Sequence, residues 1–280
     1  MLVVGMEGTG SFGAELGRCL RANQITVVEE DRPDRRARRA AGKSDSIDAY
    51  AAATAVLAGR ATGTPKHRDG TVEAIRGLRV VRASAVKART QTINQIKSLI
   101  ITAPAEVREA LRSLTTTELV RRLAASRHGA DLTDPATAVR LALKRLARRY
   151  RHLSEEIADA DADLRVLIAR TAPGLLALTG VGTETAGQLL VTAGDNPDRL
   201  ASEASFAHLC AAAPIPASSG RTDRHRPNRG GDHQANRALH TIVLVRMRHD
   251  PRTRDYVARR TPRRTQDKGH LQVPQTLRRA

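Results

Sequence analysis

Leu2-Val3-Val4-Gly5-Met6-Glu7-Gly8-Thr9-Gly10 opens the chain with a short apolar run that ends in glycines. Such a run predicts a buried strand followed by a tight turn. The pattern then predicts a helix over residues 12–22 and a second strand over residues 25–28. Strand, helix and strand in this order indicate a parallel pair of strands. Two strands alone are not a stable sheet, so we expect either that downstream strands complete it or that the chain lacks its natural beginning.

Two helices are predicted next, over residues 44–57 and 72–101. Ser44 or Asp45 supplies the capping side chain of the first helix, and Pro104 ends the second. The segment between them, from Gly59 to Gly70, is predicted to be a loop.

A longer helix is predicted between Asp134-Pro135 and Pro173-Gly174, because apolar residues recur there at intervals of four and three. A sustained heptad pattern favours a coiled coil, either within one chain or between chains. The alternative is an ordinary amphipathic core helix, whose apolar positions usually drift from a period of 3.5. This heptad seam consists of Val139, Leu143, Leu146, Tyr150, Leu153, Ile157, Ala160, Leu164 and Leu167.

The segment Leu178-Thr179-Gly180-Val181-Gly182 predicts a glycine hairpin between two helices. Gly180 and Gly182 would let the backbone approach a phosphate, and the helix that follows presents free N–H groups and the positive end of its dipole. This is the character of a helix-hairpin-helix module that binds the DNA backbone. The alternative is a simple turn between two helices.

The chain is strongly basic, with 47 Lys and Arg against 29 Asp and Glu in 280 residues and a net charge of +18. From Ser219 to Ala280 there are 16 basic and 5 acidic residues, and a second basic cluster lies between Arg32 and Lys43. Such an excess points to a polyanionic partner, most simply nucleic acid. Three Tyr, two Phe and no Trp argue against a base-stacking surface, so we expect contacts to phosphates, mainly from Arg.

The composition excludes several classes of protein. Two cysteines cannot form a disulfide framework or a four-cysteine zinc site, and they fit a reducing cytosol. No run reaches about 18 uncharged apolar residues, so no membrane span is predicted. The apolar start is too short for the core of a signal peptide.

Three carboxylates are candidates for a metal site. Glu7 follows a predicted strand, where open α/β sheets place their sites. Asp45 and Asp48 are three residues apart on one helix face. Together they could bind Mg²⁺, and a pair of such ions clamps the attacking and leaving oxygens of a phosphodiester. The alternative is that both aspartates only stabilise their own helix. Asp45 would cap it, and Asp48 would interact with the positive, N-terminal end of the helix dipole.

Ser219 is a candidate nucleophile, because it stands beside the flexible Gly220 and ahead of a long arginine run. A serine hydroxyl can attack a phosphodiester, and arginines offset the charge that develops on the phosphate. The alternative is a loop serine in a Ser-Ser-Gly turn. The candidate phosphate-binding residues come from this arginine run, from the glycine hairpin and from the basic cluster that ends at Lys43. They are Arg221, Arg224, Arg226, Arg229, Arg237, Gly180, Gly182 and Lys43.

These motifs occur in an order that resembles the DEDD insertion-sequence transposases of the IS110 family. The resemblance begins with the stretches around Glu7 and Asp45 and continues with the glycine hairpin at 178–182. It then covers Gly194-Asp195-Asn196-Pro197 and the segment from Ala213 to Gly220, and it ends beyond Arg229-Gly230-Gly231.

The resemblance implies a RuvC-like, RNase H-like domain joined by a coiled coil to a serine-bearing domain. In this family the acids corresponding to Glu7, Asp45 and Asp48 bind Mg²⁺, and the serine corresponding to Ser219 forms a phosphoserine link with DNA. It also implies a homo-oligomer assembled through the coiled coil, DNA partners at the element ends and the target, a guide RNA, and a cytoplasmic, nucleoid-associated location.

The chain departs from the family pattern at both ends. The first Asp of the family lies on a strand before the one that carries Glu7, and no residue here matches it. We therefore expect a weakened metal site and a chain truncated at its N-terminus or given a wrong start codon. After Thr261-Pro262 the sequence has no helical period, so an altered, irregular tail is expected.

The sequence thus predicts a mixed α/β, mostly helical fold with four parts. These are a truncated RuvC-like domain with a long helix (1–100), a helical coiled-coil connector (101–172), a C-terminal transposase domain (173–262) and an irregular basic tail (263–280). The predicted function is Mg²⁺-assisted serine attack on DNA by a transposase. The alternatives are a catalytically inactive DNA- or RNA-binding remnant of such an enzyme and a coiled-coil scaffold with a basic surface.

Overall fold

The computed structural model describes residues 2–30 and 44–264, with side chains up to Arg260. The described residues are mostly helical and contain two small two-stranded sheets, as expected for the mixed α/β class. One turn of 3₁₀ helix, Pro197–Arg199, lies between the helices Thr183–Ala193 and Glu203–Leu209. The elements are β1 (Val3–Met6), α1 (Ala14–Ala22), β2 (Thr26–Glu29), α2 (Asp45–Leu57), α3 (Thr71–Thr102), α4 (Ala105–Leu111), α5 (Thr116–Ala125), α6 (Pro135–Thr171), α7 (Pro173–Leu176), α8 (Thr183–Ala193), α9 (Glu203–Leu209), β3 (Ile215–Pro216), β4 (His225–Arg226), α10 (His233–His249) and α11 (Pro251–Arg264).

The N-terminal strands form the predicted parallel pair, with Val3 opposite Thr26 and Met6 opposite Glu29. Helix α2 packs directly on β1 at Gly5, where an added Cβ would lie 2.6 Å from the carbonyl oxygen of Ala52. Only glycine allows the two backbones to approach this closely. The predicted cap of α2 is also confirmed, since Ser44 Oγ accepts a hydrogen bond from the Ile47 amide at 3.4 Å.

The chain divides into two compact units, residues 77–166 and residues 1–76 with 167–280. In the first unit, α3 and α6 run antiparallel: Arg82 Nε donates to Asp161 Oδ1 at 2.5 Å, and Arg89 lies 5.8 Å from the ring centre of Tyr150. Helices α4 and α5 cover one part of this pair around a core that includes the fully buried Leu143.

The apolar seam of α6 therefore has a partner within the chain. Leu153 and Ile157 pack with Ala85 of α3, and Leu143 packs with Ile96 and its neighbours. Burial of these side chains stabilises the helix pair in the way expected for an apolar stripe. Supercoiling of the pair and packing between chains stay predictions.

The second unit holds the N-terminal α/β elements and the C-terminal helices. Helices α8 and α10 form the centre of a small core with Leu189, Cys210 and Ile242. Asp232 starts α10, because its Oδ1 accepts from the amides of Gln234 at 2.8 Å and Ala235 at 3.2 Å. No helix within residues 2–30 and 44–264 combines the length and hydropathy that crossing a membrane requires.

Candidate nucleophile and nucleic-acid interface

Ser219 lies at the tip of a β-hairpin formed by β3 and β4. Ile215 pairs with Arg226 and Pro216 with His225, which directs the chain into a tight turn. Ser219 and Thr222 exchange both backbone hydrogen bonds, each at 3.1 Å. Gly220, the first residue between them, has φ of +57°, which glycine adopts without strain. The Ser219-Gly220 pair in the sequence thus marks a hairpin whose turn consists of Gly220 and Arg221.

The two adjacent serines of this hairpin have different environments. Ser218 Oγ donates to Asp223 Oδ1 at 2.8 Å and accepts from the Arg224 amide at 3.2 Å. Ser219 is exposed, and within the described residues its hydroxyl makes no hydrogen bond. The hairpin therefore fixes one serine as a link between its strands and presents the other to solvent.

Exposed cations follow Ser219 along the hairpin. Arg221 is in the turn, Arg224 directly precedes β4, Arg226 lies on β4, and Arg229 follows it. Arg237, on the first turns of α10, is exposed as well. Guanidinium groups in this position can donate to phosphate oxygens in pairs. Lys43, the remaining predicted cation, lies outside the described residues.

The two glycines of the predicted helix-hairpin-helix differ in their surroundings. Gly180 has φ of +87°, and a Cβ there would lie 3.0 Å from both Ile242 O and Arg246 Cγ, so close packing on α10 already requires glycine. Gly182 precedes α8 and is open, with nothing within 4 Å of an added Cβ. Helix α7, which precedes the hairpin, has four residues. Approach of a phosphate to either glycine stays a prediction.

The three predicted metal ligands occupy neighbouring elements. Glu7 is half-buried directly after β1, and Asp45 and Asp48 lie in the first turn of α2, which packs on that strand. Among the residues that the structure describes, however, no three Asp, Glu, His or Cys side chains are close enough to hold a metal ion. Within the described residues, Glu7, Asp45 and Asp48 thus do not make a complete site for Mg²⁺.

A cavity of about 1250 Å³ was not foreseen from the sequence. Glu29 and Glu30 at the end of β2 line it from one side, and Arg199, His208 and Asp232 line it from the C-terminal helices. Its walls come from residues some 200 positions apart, and no local pattern connects them. The sequence signal that could have pointed here is the Gly194-Asp195-Asn196 motif, which carries the contacts between these two parts of the chain.

Comparison with known proteins gives two matches in chain order. A DEDD transposase family model of the IS110 group matches residues 1–103, and the model described as the IS116/IS110/IS902 transposase family matches residues 172–258. A Streptomyces coelicolor protein described as "Insertion element IS110 uncharacterized 43.6 kDa protein" is 37% identical over 103 residues. That match covers 36% of this chain and spans about a quarter of the relative, 24% of its length.

Both matched models describe families of insertion-sequence transposases, the first of the DEDD type. The chain belongs to the IS110 family of these transposases, as its motifs predicted.

Proposed function

We propose that this chain is a transposase that cuts and joins DNA at the ends of an insertion sequence, with the Ser219 hydroxyl as its nucleophile. The observation that carries the proposal is the hairpin tip, where Ser219 is exposed beside arginines while Ser218 is held by Asp223. The family membership supports the same class of reaction.

In the proposed step, Ser219 Oγ forms a bond to a backbone phosphorus and one P–O bond of the DNA strand breaks. The released strand end takes up a proton as a hydroxyl, and the serine gives up its own proton. The DNA phosphate stays linked to the protein until a strand hydroxyl attacks it and restores the serine. In this proposal Arg221 and Arg224, both exposed, offset the charge that develops on the phosphate oxygens.

Further parts of the proposal come from the family resemblance. The partners are the DNA of the element ends and of the target, a guide RNA, and further copies of this chain. Dependence on a divalent cation, with Glu7, Asp45 and Asp48 as contributors and Mg²⁺ as the ion, belongs to the proposal too. A cytoplasmic, nucleoid-associated location follows from these partners.

A mass-spectrometric search for a DNA adduct tests the nucleophile. The chain is expressed in cells that carry its flanking genomic DNA, purified under denaturing conditions, and digested with nuclease and protease. We expect a nucleotide phosphate on Ser219 and its loss in Ser219→Ala. Ser218→Ala is the matched control: the adduct should persist but accumulate about 10- to 100-fold more slowly, because the hairpin loses its side-chain link.

Three outcomes distinguish the alternatives. An adduct that persists in Ser219→Ala removes the serine assignment. In a parallel reaction of the purified chain with its flanking DNA, loss of the adduct without added divalent cation, and its return with Mg²⁺, supports the metal requirement. No adduct in any variant, together with salt-sensitive DNA binding, identifies the chain as a non-catalytic nucleic-acid-binding member of the family.

A further inference from the structure

Asp195 caps a helix that lies 123 residues earlier in the chain. The amide of Val72, in the first turn of α3, donates to Asp195 Oδ1 at 2.8 Å. Gly70 precedes that helix and has no side chain with which to cap it, and a Cβ on Gly70 would collide with the Asp195 carboxylate. First-turn amides need an acceptor, and a negative charge is favoured at a helix N-terminus. Gly70 and Asp195 therefore fit each other as a pair.

Asn196 uses both ends of its side chain on the same segment. Its Oδ1 accepts from the His67 amide at 3.3 Å, and its Nδ2 donates to the carbonyl of Pro65 at 3.0 Å. Both Asn196 and Pro65 are buried. A buried amide with donor and acceptor satisfied fixes the register of the backbone that it binds.

Two cationic side chains, one from each part of the chain, add hydrogen bonds to backbone carbonyls. Lys66 Nζ donates to Val191 O at 2.7 Å, near the end of α8, and an added Cβ on Gly194 would lie 2.9 Å from Lys66 Cγ. Arg199 donates from Nε to Thr64 O and from Nη1 to Ala193 O, each at 3.1 Å. Burial lowers the pKa of Lys66, and Arg199 and Arg68 lower it further. The lysine is accordingly placed for contact within the protein.

We propose that Gly194-Asp195-Asn196 is a docking site for the segment Thr64–Val72 of the same chain, and that it holds the N-terminal α/β elements on the C-terminal helices. The side chains of Asp195 and Asn196 bind backbone groups of the segment, and Gly194 and Gly70 leave room for the partner side chains. The motif is thus a positioning site. It does not depend on the proposed reaction, because all of its contacts are made within the protein.

A designed disulfide tests the contact and the chain that supplies it. The position of a Cβ on Gly70 is 3.3 Å from Asp195 Cβ, close to the separation of about 3.5–4.5 Å in disulfides. In the full chain with Cys19→Ser, we expect Gly70→Cys with Asp195→Cys to oxidise within one monomer. Gly182→Cys with Asp195→Cys is the control and should stay reduced, since nothing lies within 4 Å of the Cβ at position 182.

The possible results are distinct on a non-reducing gel. A monomer of changed mobility that reverts with reductant supports the proposal. A covalent dimer would show that the segment comes from a second copy, and a failure to oxidise would show that the contact does not form. Either of these two results overturns the proposal.

Hydrogen exchange provides a second readout, without DNA. In Asp195→Ala the Val72 amide should exchange about 2- to 30-fold faster, as expected for loss of a helix cap. Asp195→Asn keeps a side-chain oxygen as acceptor and should retain the protection. Unchanged exchange in Asp195→Ala overturns the proposal. Neither this measurement nor the disulfide involves Ser219, so failure of the docking site is separable from failure of the nucleophile assignment.

Discussion

At the scale of single residues, the two cysteines have opposite environments. Cys210 has no exposed surface and packs against Leu189 and Ile242, whereas Cys19 is exposed on α1. Burial raises the pKa of the Cys210 thiol to about 12, and the nearby Asp232 acts in the same direction. Since the thiolate is the reactive form, Cys210 should be inert in the folded protein.

The thiols therefore predict a response to pH. At pH 8 a thiol reagent should label Cys19 promptly and Cys210 only after unfolding.

The raised pKa of Cys210 also predicts how stability depends on pH. Between the ordinary thiol pKa of 9.0 and about 12, the folded state keeps the Cys210 proton that the unfolded state loses, so the free energy of unfolding falls as the pH rises through this window. Between pH 8 and pH 10 this loss should be about 1 kcal/mol. Urea unfolding at the two pH values measures it, and Cys210→Ala should lose correspondingly less.

Residue roles that depend on neighbours in sequence were predictable, and those that depend on distant ones were not. The cap at Ser44 and the turn at Gly220 follow from two or three consecutive residues. The distinction between Ser218 and Ser219 depends on Asp223 across the hairpin, and the role of Asp195 depends on Val72. No periodicity connects such partners, because loops bring them together.

At the scale of elements, periodic patterns predicted the helices well. The heptad seam predicted α6 to within a residue or two at each end. Pro135 is the first residue of this helix, and Pro173 follows its last turn. The sequence could not choose between a partner within the chain and one outside it, because the same apolar stripe suits both. The antiparallel contact of Arg89 with Tyr150 identifies α3 as the internal partner.

The C-terminal helix reaches the start of the predicted tail. Helix α11 runs from Pro251 to Arg264, and the rest of the irregular tail predicted over residues 263–280 lies outside the described part of the chain and stays a prediction. Asp250 starts α11, because its Oδ2 accepts from the Thr253 amide at 3.2 Å and from the Thr253 hydroxyl. The cap at Asp250 and the proline at the first helical position, Pro251, favour a helix here, although the apolar residues of this segment do not recur at helical spacing.

The packing of α6 against its neighbours predicts a large effect of truncation at its centre. Leu143 has no exposed surface, so Leu143→Ala leaves a cavity and should lower the free energy of unfolding by about 2–5 kcal/mol. Leu132, just before α6, is 54% exposed, and Leu132→Ala is the matched control, with a change within about 0.5 kcal/mol. Urea denaturation of both variants measures the difference. Equal effects would contradict the assignment of the seam to a core.

At the scale of the whole molecule, the chain combines an internal framework with a separate cationic surface. The docking contacts from Thr64 to Val72 and the core around Cys210 use groups that face one another. The arginines of the hairpin are exposed, and within the described residues none of them forms an ion pair. Exposed arginines that lie close together repel one another and lower the stability of the folded state. A polyanionic partner would relieve this repulsion, so the cluster favours binding to such a partner.

The response of DNA affinity to salt follows from this surface. If the exposed Arg221, Arg224, Arg226, Arg229 and Arg237 each contact one phosphate, the log–log slope should be about −4.5. Affinity for duplex DNA should then fall by roughly 10²- to 10³-fold between 50 and 200 mM salt, as measured by fluorescence anisotropy.

Substitution locates the phosphate contacts on the molecule. Arg224→Ala with Arg226→Ala removes two contacts and should make the slope less steep by about 2. Arg112→Ala is the control, because Arg112 is equally exposed but lies on the other compact unit and pairs with Glu109 at 2.7 Å. A slope that the hairpin substitutions leave unchanged, or that Arg112→Ala reduces to the same extent, would place the phosphates elsewhere. A slope near zero in the parent chain would contradict phosphate binding altogether, since release of counterions accompanies every such contact.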